Sequence, residues 1–247
     1  EGSHHQAINY ELENSNLLIT LENRNQTRLQ NKDKYIGFNG TEKSPESILL
    51  KNNNLHVELC FNDKHIVGST DKANISDIIL ESAVTTIQDC EDSVATVDAE
   101  DKVLAYQNWL GLMNGTLQDS FLKNDKEVTR TLNSNKVFKT IDGNLELSGR
   151  SLMLIRNVGH LMTNPSIIIN DDEEVPEGIM DAVITSLISL FDVNGERRNS
   201  KKGSIYIVKP KMHGPAEVAF TDELFSDIEN ALGLKKYTIK IGIMDEE

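Results

Sequence analysis

Four short apolar segments occur from residue 83 onward, and polar or charged residues follow each of them directly. In chain order, these segments with their polar ends are AVTTIQDCEDS, RSLMLIRNVGH, GSIYIVKPKMHG and YTIKIGIMDEE. Runs such as SIYIV do not alternate between apolar and polar positions, which is typical of strands buried on both faces of a parallel sheet. The pattern therefore predicts parallel strands with the chemistry at their carboxyl ends.

Three segments between these strands have the spacing of amphipathic helices. They are AEDKVLAYQNWLGLMN, which Gly115 follows, EGIMDAVITSLISLFDV, and PAEVAFTDELFSDIENALGL. In the second of them, apolar residues recur at Ile179, Val183, Leu187 and Leu190, and this stripe predicts the face that packs inward. The alternation of strands and helices indicates the α/β class. Because no glycine-rich dinucleotide motif or Walker loop follows a strand, part of a TIM (β/α)8 barrel is favoured, with about four of its eight parallel strands.

Two polar segments, rich in Asn, Lys and turn residues, interrupt this pattern. Residues 1–83 contain short strand-like runs (NLLITL, SILLK and LHVELCF) separated by turn sequences, and they predict a small sheet-containing module. Near the end of this segment, the spacing of Ile75, Ile78, Ile79 and Ala83 predicts a helix. The two styles of sequence predict domain segments at 1–83, 84–114, 115–150 and 151–247.

The composition argues against several classes of protein. The formal net charge is −14, which disfavours nonspecific binding to nucleic acid or to an anionic membrane. No apolar run reaches about 18 residues and no secretory signal is recognised, so no transmembrane helix is predicted. Cys60 and Cys90 do not form a C-x-x-C pair, which disfavours a disulfide scaffold or a zinc site and favours a cytoplasmic location.

Acidic residues gather at the ends of the first and the fourth predicted strand. Asp89, Glu91 and Asp92 lie within DCEDS, and the chain ends with the acids of IMDEE. On an extended strand Asp89 and Glu91 point the same way, and two carboxylates that face one pocket repel each other unless a cation or a proton lies between them. Oxygen ligands suit Mg²⁺. A solvated acidic loop is the alternative interpretation.

Arg156 and Ser93 also follow predicted strands. A guanidinium at a strand end can bind a carboxylate through two hydrogen bonds and stabilise a developing oxyanion. The alternative for Arg156 is an ion pair with the nearby acids that serves structure alone. Ser93 could hydrogen-bond a ligand, although the N-terminal cap of a helix is the commoner role for a serine at such a place.

Two histidines and two lysines lie just past the second and third predicted strands. His160 and His213 are candidates for a general base or a ligand, although each is more often a hydrogen-bonded loop residue. Lys209 and Lys211 alternate around a proline, so both can face one side and attract an anion.

Long parts of the sequence resemble one known enzyme family. The strings are TTIQDCEDSVATVDAEDKVLAYQNWLGLMNG, GRSLMLIRNVGHLMTNPSI, VPEGIMDAVIT, GSIYIVKPKMHGPAEVAF and IGIMDEE, and together they resemble malate synthase of the G type. The resemblance implies an acyltransferase of the glyoxylate bypass, linked to the tricarboxylic acid cycle, that condenses acetyl-CoA with glyoxylate to give malate and CoA with Mg²⁺. It also implies a monomeric parent whose TIM barrel carries an inserted α/β domain. The segments 1–83 and 115–150 would be two passes of that domain.

The resemblance also implies roles for individual residues at the strand ends. Arg156 of RNVGH would be the catalytic residue that binds glyoxylate and stabilises the enolate. Glu246 of MDEE would ligate Mg²⁺ and contact glyoxylate. Asp89, Glu91 and Asp92 would line the metal pocket through water.

Other implied roles concern acetyl-CoA and the parts of the family that this sequence does not match. Ser93 and Arg130 would contact acetyl-CoA. The family's second metal aspartate and its general-base aspartate have no counterpart here, so we expect this chain to be an inactive piece of the enzyme. The alternatives are a Mg²⁺-dependent barrel of the malyl-CoA or citramalyl-CoA lyase kind and a non-catalytic structural fragment.

Overall fold

The structure is a computed structural model that describes residues 2–80, 85–196 and 198–244. Its strands are β1 (Ala7–Glu13), β2 (Asn16–Leu21), β3 (Gln26–Thr27), β4 (Tyr35–Gly40), β5 (Pro45–Asn52), β6 (Leu55–Phe61), β7 (Ile75–Leu80), β8 (Thr85–Asp89), β9 (Gln118–Lys123), β10 (Lys126–Thr131), β11 (Lys136–Thr140), β12 (Gly143–Leu147), β13 (Leu152–Arg156), β14 (Thr163–Ile169), β15 (Glu173–Pro176), β16 (Ile205–Lys209) and β17 (Ile239–Ile243). Its helices are α1 (Ala99–Asn114), α2 (Glu177–Val193) and α3 (Gly214–Ala231), with short 3-10 helices at His4–Gln6, Lys32–Lys34 and Asn170–Asp172.

The chain forms two compact units. The described residues of the first unit are 2–80 and 134–149, and those of the second unit are 85–133, 150–196 and 198–244. The hairpin of β9 and β10 belongs to the second unit, so the first unit resumes at Ser134, after that hairpin. In the described part of the chain, no helix is long and apolar enough to cross a membrane.

The first unit is built from antiparallel strands. A three-stranded sheet has the order β1-β2-β3, and a six-stranded sheet has the order β12-β11-β4-β5-β6-β7. The core between their apolar side chains includes Tyr10, Leu12, Leu17 and Ile48. The central strand β5 pairs with β4 and β6 along its length, and its consecutive residues Ser47, Ile48 and Leu49 are buried.

The predicted helix around Ile75 is wrong. Residues Ile75–Leu80 form β7, which pairs antiparallel with β6 at the edge of the six-stranded sheet. β-branched isoleucines suit a strand at least as well as a helix, and pairing with β6 decides between the two. The last apolar position of that prediction, Ala83, lies outside the described residues.

The second unit contains the predicted parallel strands. Its sheet has the order β17-β16-β13-β8, and every neighbouring pair is parallel. The register places Arg156 of β13 beside Asp89 of β8 and beside Val208 of β16. These findings confirm the α/β class and a parallel sheet of four strands, which in the described residues is not closed into a barrel. The carboxyl ends of all four strands lie at one edge of the sheet.

The three predicted helices are present, and their ends follow known capping rules. The side chain of Asp98 accepts a hydrogen bond of 3.0 Å from the backbone N–H of Asp101, which caps the start of α1. Gly115 follows α1 with a φ of 80°, in the left-handed region that glycine adopts without strain. Proline lies in the first turn of α3.

The predicted inward face of α2 is wrong. Of the predicted stripe, Val183 and Leu187 are exposed, and Ile179 and Leu190 are only partly buried. Asp181, Thr185 and Ser189, by contrast, are buried. The polar stripe faces inward because the interior of the second unit contains charged and polar groups that need its side chains as partners, as the site below shows.

Candidate functional site

The site begins with an ion pair between the ends of two neighbouring strands. Arg156 ends β13 and Asp89 ends β8, and the parallel register places them side by side. Arg156 Nε donates to Asp89 Oδ1 over 2.7 Å, and Nη2 donates to Asp89 Oδ2 over 2.6 Å. This is a bidentate guanidinium–carboxylate pair, which is the stronger and more directional kind of ion pair.

Asp89 also collects hydrogen bonds from the turn that follows it. Its Oδ1 accepts from the backbone N–H of Glu91 over 3.0 Å, and its Oδ2 accepts from the backbone N–H of Ser93 over 2.8 Å and from Ser93 Oγ over 2.6 Å. Burial by itself raises the pKa of Asp89, but the hydrogen bonds from Arg156 and Ser93 hold that pKa well below its usual range. Asp89 is therefore ionised at neutral pH and holds the guanidinium in place.

The guanidinium of Arg156 has a second side that faces the other strand ends. Its Nη1 lies 3.9 Å from Met244 Sδ, just past β17, and its Nη2 lies 3.8 Å from Asp92 Oδ2. The hydrogen bonds to Asp89, together with the other acids, raise the pKa of Arg156, so it stays charged. A thioether sulfur is a weak acceptor, so Nη1 can bind a stronger anionic acceptor.

Lys211 joins the acidic turn from the loop after β16. Its Nζ lies 3.1 Å from Glu91 Oε1 and 3.0 Å from Asp92 Oδ1. Its backbone has a φ of 53°, in the left-handed region that is uncommon for a residue other than glycine. Hydrogen bonds to Asp92 and then to Glu91 raise the pKa of Lys211. The structure thus brings Lys211, which the sequence suggested as an anion-attracting residue, onto the predicted carboxylates.

One carboxylate oxygen in this turn has no hydrogen-bond partner. Glu91 Oε2 is buried, and none of the described residues donates to it. Buried polar atoms are nearly always satisfied, so this oxygen fits a water molecule or a ligand as its partner. Asp89, by contrast, directs both oxygens at Arg156 and Ser93.

A complete metal site is not present among the described residues, where no group of three or more His, Cys, Asp or Glu side chains could hold an ion. The predicted ligand Glu246 lies outside the described residues. The described oxygen ligands fit a hard cation such as Mg²⁺ in part, because Glu91 Oε2 is a buried acceptor beside the strand ends that has no hydrogen-bond partner among the described residues. The Mg²⁺ site stays a prediction.

The two residues predicted to contact acetyl-CoA lie in different surroundings. The hydroxyl of Ser93 donates to Asp89, so this side chain belongs to the Arg156 cluster. Arg130 lies on β10, and its guanidinium carbon is 4.9 Å from the centre of the Phe121 ring on the paired strand β9. The structure thus places one of the two in the ion-pair turn and the other on an exposed hairpin.

The two histidines have structural partners. His160 Nε2 is 2.9 Å from Thr221 Oγ1 of α3, and burial, followed by the nearby charge of Lys209, lowers the pKa of His160. The backbone N–H of His213 donates to Glu217 Oε2 over 2.7 Å at the start of α3. The ring contact of His160 matches the hydrogen-bonded loop interpretation, whereas the bond of His213 is made by its backbone and leaves the role of its imidazole a prediction.

Sequence reasoning missed a buried cluster of charges beneath the strand ends. Lys102 Nζ lies 2.6 Å from Glu177 Oε1 and 3.0 Å from Asp181 Oδ1, and all three side chains are almost fully buried. Tyr106 Oη donates to the same Asp181 oxygen over 2.6 Å. Burial alone lowers the pKa of Lys102, but the carboxylates of Asp181 and Glu177 outweigh it and raise the pKa.

A signal for this cluster exists in the sequence. Lys102 falls at the same helical spacing as Tyr106, Trp109 and Met113, so a lysine stands in the buried stripe of α1. In α2, a stripe of polar residues lies opposite the predicted apolar stripe, and its members are Glu177, Asp181, Thr185, Ser189 and Asp192. A lysine in one buried stripe and acids in the stripe of the next helix indicate a buried ion pair.

Comparisons with known proteins cover most of the chain. Residues 152–247 match the family model described as malate synthase, TIM barrel domain, and residues 1–52 match that of the malate synthase G alpha-beta insertion domain. The chain is 55% identical over 249 residues to malate synthase G of Halalkalibacterium halodurans, which covers 100% of this chain and 34% of the relative. It is 54% identical over 223 residues to malate synthase G of Corynebacterium efficiens and also to that of Corynebacterium glutamicum, covering 89% of this chain and 30% of each relative. The chain therefore spans about a third of the length of these curated relatives, and the resemblance stated from the sequence is confirmed.

Proposed function

Since this chain belongs to the malate synthase G family, we propose that it supplies the glyoxylate-binding part of an acyltransferase that condenses acetyl-CoA with glyoxylate and hydrolyses the product to malate and CoA. The observation that carries this proposal is the guanidinium of Arg156, fixed by two hydrogen bonds to Asp89 at the carboxyl ends of the parallel strands. Active sites of parallel barrels lie at this end of the strands.

Arg156 acts on glyoxylate through its charge and its shape. One edge of the guanidinium binds Asp89. On its other side, Nη1 faces the end of β17, where the thioether sulfur of Met244 is its hydrogen-bond partner among the described residues. An oxoacid placed there receives N–H donors from a cation that cannot lose its proton at neutral pH. The same donors stabilise the negative oxygen that develops when the aldehyde is attacked.

The acidic turn after β8 orients this cation and shapes the pocket. Asp89 is held in turn by Ser93, so the guanidinium has little freedom to rotate. Glu91 Oε2 would accept a hydrogen bond from water in the shell of a bound Mg²⁺, and Glu246 would ligate the ion directly. When bound, Mg²⁺ would supply positive charge that polarises the aldehyde of glyoxylate.

Acetyl-CoA would contact Ser93 and Arg130 in the same enzyme. Arg130 lies on an exposed strand and offers a cation for the phosphates of CoA. The base that removes the methyl proton of acetyl-CoA would come from another part of the enzyme, because this chain spans about a third of its relatives. On this proposal the 247-residue chain alone does not release thiol from acetyl-CoA when glyoxylate and Mg²⁺ are added. A cytoplasmic location and a monomeric parent are also parts of the proposal.

Calorimetric titration of glyoxylate into the chain, with Mg²⁺ present, tests the role of Arg156. Arg156→Lys keeps the charge but loses the two-pronged hydrogen bonding, so we expect the dissociation constant for glyoxylate to rise about tenfold to a hundredfold. Arg28→Lys is the matched control, because it makes the same change at an arginine of the first unit that pairs with Glu13 at the surface. Equal affinities of the wild type and Arg156→Lys, or no binding by the wild type, would overturn the proposal.

A further inference from the structure

The backbone that follows Arg156 is held from two sides by buried charged side chains. The N–H of Val158 donates to Asp181 Oδ2 over 2.9 Å, and the carbonyl oxygen of Val158 accepts from Lys209 Nζ over 2.5 Å. Asp181 and Lys209 are both 0% exposed. One peptide segment is thus bound by an anion on its N–H side and by a cation on its carbonyl side.

The neighbouring peptide groups are fixed as well. The carbonyl of Arg156 accepts from the N–H of Cys90 over 3.0 Å, and the N–H of Asn157 donates to the carbonyl of Val208 over 3.0 Å. These bonds extend the parallel ladder by one residue beyond β13. Directly after the last ladder bond, Asp181 and Lys209 bind the next peptide group, that of Val158. The backbone that follows Arg156 is therefore restrained at consecutive residues.

Asp181 is itself held by α1. Its Oδ1 accepts from Lys102 Nζ over 3.0 Å and from Tyr106 Oη over 2.6 Å, while its Oδ2 is left for Val158. Two cations (Lys102 and Lys209) and two anions (Glu177 and Asp181) balance in this cluster. Buried groups of this kind are costly unless all are satisfied, and satisfied networks specify a single arrangement.

The close approach of Lys209 depends on a glycine in α2. A Cβ atom on Gly178 would lie 2.5 Å from Lys209 Nζ and 2.6 Å from the carbonyl oxygen of Gly159. Real Cβ atoms do not come so close to a backbone oxygen. Only glycine at position 178 therefore leaves room for the Lys209 ammonium group and for the backbone of the turn after Arg156.

From these contacts we propose that Asp181 and Lys209 are positioning residues, which hold Val158 and thereby aim the guanidinium of Arg156 at the anion it binds. Both side chains are 0% exposed, so the proposal gives them a contact with Val158 and no direct contact with that anion. The identity of the anion as glyoxylate rests on the proposed function, whereas the aiming of Arg156 toward Asp89 does not.

A purely structural role is the competing explanation, and Asp192 provides a matched control for it. Asp192 lies on the same helix, is 2% exposed, and likewise accepts from backbone N–H groups, those of Asn199 over 2.7 Å and Ser200 over 2.8 Å. These bonds hold the loop before β16, at the other end of the strands. Asp181→Asn and Asp192→Asn thus make the same chemical change at opposite ends of the sheet.

The direct readout is the Nε–H resonance of Arg156 in NMR spectra of the chain, assigned by its loss in Arg156→Lys. In the wild type this proton is bonded to Asp89 and should be shifted downfield and protected from exchange. We expect Asp181→Asn to move or broaden it, and Asp192→Asn to leave it in place even though both variants lose stability. Tyr106→Phe, which removes one donor to Asp181 and keeps the volume, should move it by a smaller amount.

A second readout is the affinity for glyoxylate with Mg²⁺ present. Asp181→Asn should weaken it about tenfold to a hundredfold, because a small displacement of a binding group has a large effect, and Asp192→Asn should leave it within about twofold. The inference is overturned if Asp181→Asn and Tyr106→Phe leave the Arg156 resonance unchanged, or if Asp192→Asn moves it equally. If the resonance responds as expected but the wild type does not bind glyoxylate, the positioning role stands and the proposed function fails.

Discussion

The two units differ in what they bury. In the first unit, the buried core is apolar, and Ser47 and Glu58 are its buried polar residues among those described. In the second unit, buried apolar residues such as Ile155 and Ile207 share the interior with charged ones such as Lys102, Asp181 and Lys209. Burying charges stabilises a fold less than burying apolar groups of the same size. The second unit therefore accepts a cost in stability that the first does not, and the buried charges lie directly under the strand ends that carry Arg156.

The sheet types of the two units explain why only one of them needs such an interior. The antiparallel strands of the first unit keep their polar side chains on a face open to water. In the second unit, the core joins residues of the parallel strands, such as Ile155 and Ile207, with residues of the helices, such as Ala182, so side chains that support the site from within this layer are buried. The following predictions test this contrast, beginning with the largest expected effect.

Replacing one ion-paired lysine in each unit should give the largest difference between the units in the free energy of unfolding. Lys102→Met leaves Asp181 and Glu177 buried without a cation, and we expect a loss of about 3–5 kcal/mol in the free energy of unfolding. Lys136→Met removes the partner of Glu58 in the first unit, where the lysine side chain is 43% exposed, and should cost about 1 kcal/mol or less.

Urea denaturation measures both losses. The only tryptophan, Trp109, is 1% exposed in the second unit, so its fluorescence reports the unfolding of that unit, while circular dichroism follows both. Equal losses for the two variants would contradict the contrast between the units.

Two crowded glycines give the next test. Gly178→Ala pushes a methyl group against Lys209 and the turn after Arg156, and Gly37→Ala in the first unit places one 2.5 Å from the carbonyl oxygen of Lys139. Each should cost about 1–3 kcal/mol through overpacking. Only Gly178→Ala should also shift the Nε–H resonance of Arg156, and a shift in Gly37→Ala would show that the resonance reports general loosening.

The third prediction concerns alkaline pH. Burial lowers the pKa of Lys209 to about 8, against the opposing effect of Asp181 and Glu91. The unfolded chain has the ordinary lysine pKa of about 10.4, so between pH 8 and 10 it binds more protons than the folded chain. The contribution of Lys209 to the stability of the second unit therefore rises with pH in that window, by about 1–2 kcal/mol between pH 7.5 and 9.5.

Lys209→Met should remove this rise, as measured by the unfolding of Trp109 in urea at each pH. His160 also lies near Lys209, but burial lowers its pKa, so its titration falls below this window. In the first unit the sign is opposite, because burial and then Glu42 raise the pKa of Tyr35 to about 12, and its contribution is lost as pH rises above about 10. An identical pH profile for wild type and Lys209→Met would refute the prediction.

The smallest effect should come from the outward face of α2. Leu187 is 50% exposed, so Leu187→Gln should change the free energy of unfolding by no more than about 0.5 kcal/mol. Thr185→Val, on the buried stripe, removes a hydroxyl that donates to the carbonyl of Asp181 and accepts from Asn157, and should cost about 1–3 kcal/mol. If urea denaturation showed a larger loss for Leu187→Gln than for Thr185→Val, the apolar stripe would be the inward face of α2, as its spacing predicted.

Local patterns in the sequence were sufficient for the framework of the second unit. The four parallel strands and the three helices follow from apolar runs, helical spacing and capping residues such as Asp98 and Gly115. Local patterns failed where a non-local contact decided the outcome. Ile75–Leu80 is a strand because β6 pairs with it, and α2 turns its polar stripe inward because Lys102 and Val158 need its carboxylate.

The sequence by itself determined the class of the fold, the family resemblance, and the presence of Asp89, Glu91, Ser93 and Arg156 at strand ends. Only the tertiary structure decided that Arg156 pairs with Asp89, that Lys211 reaches Glu91, and that Asp181 and Lys209 hold the backbone between them. The physical reason is that apolar periodicity is a property of residues close together in the chain. A buried ion pair, by contrast, depends on strand register and on the removal of water from both partners. Those conditions arise only when segments far apart in the chain pack together.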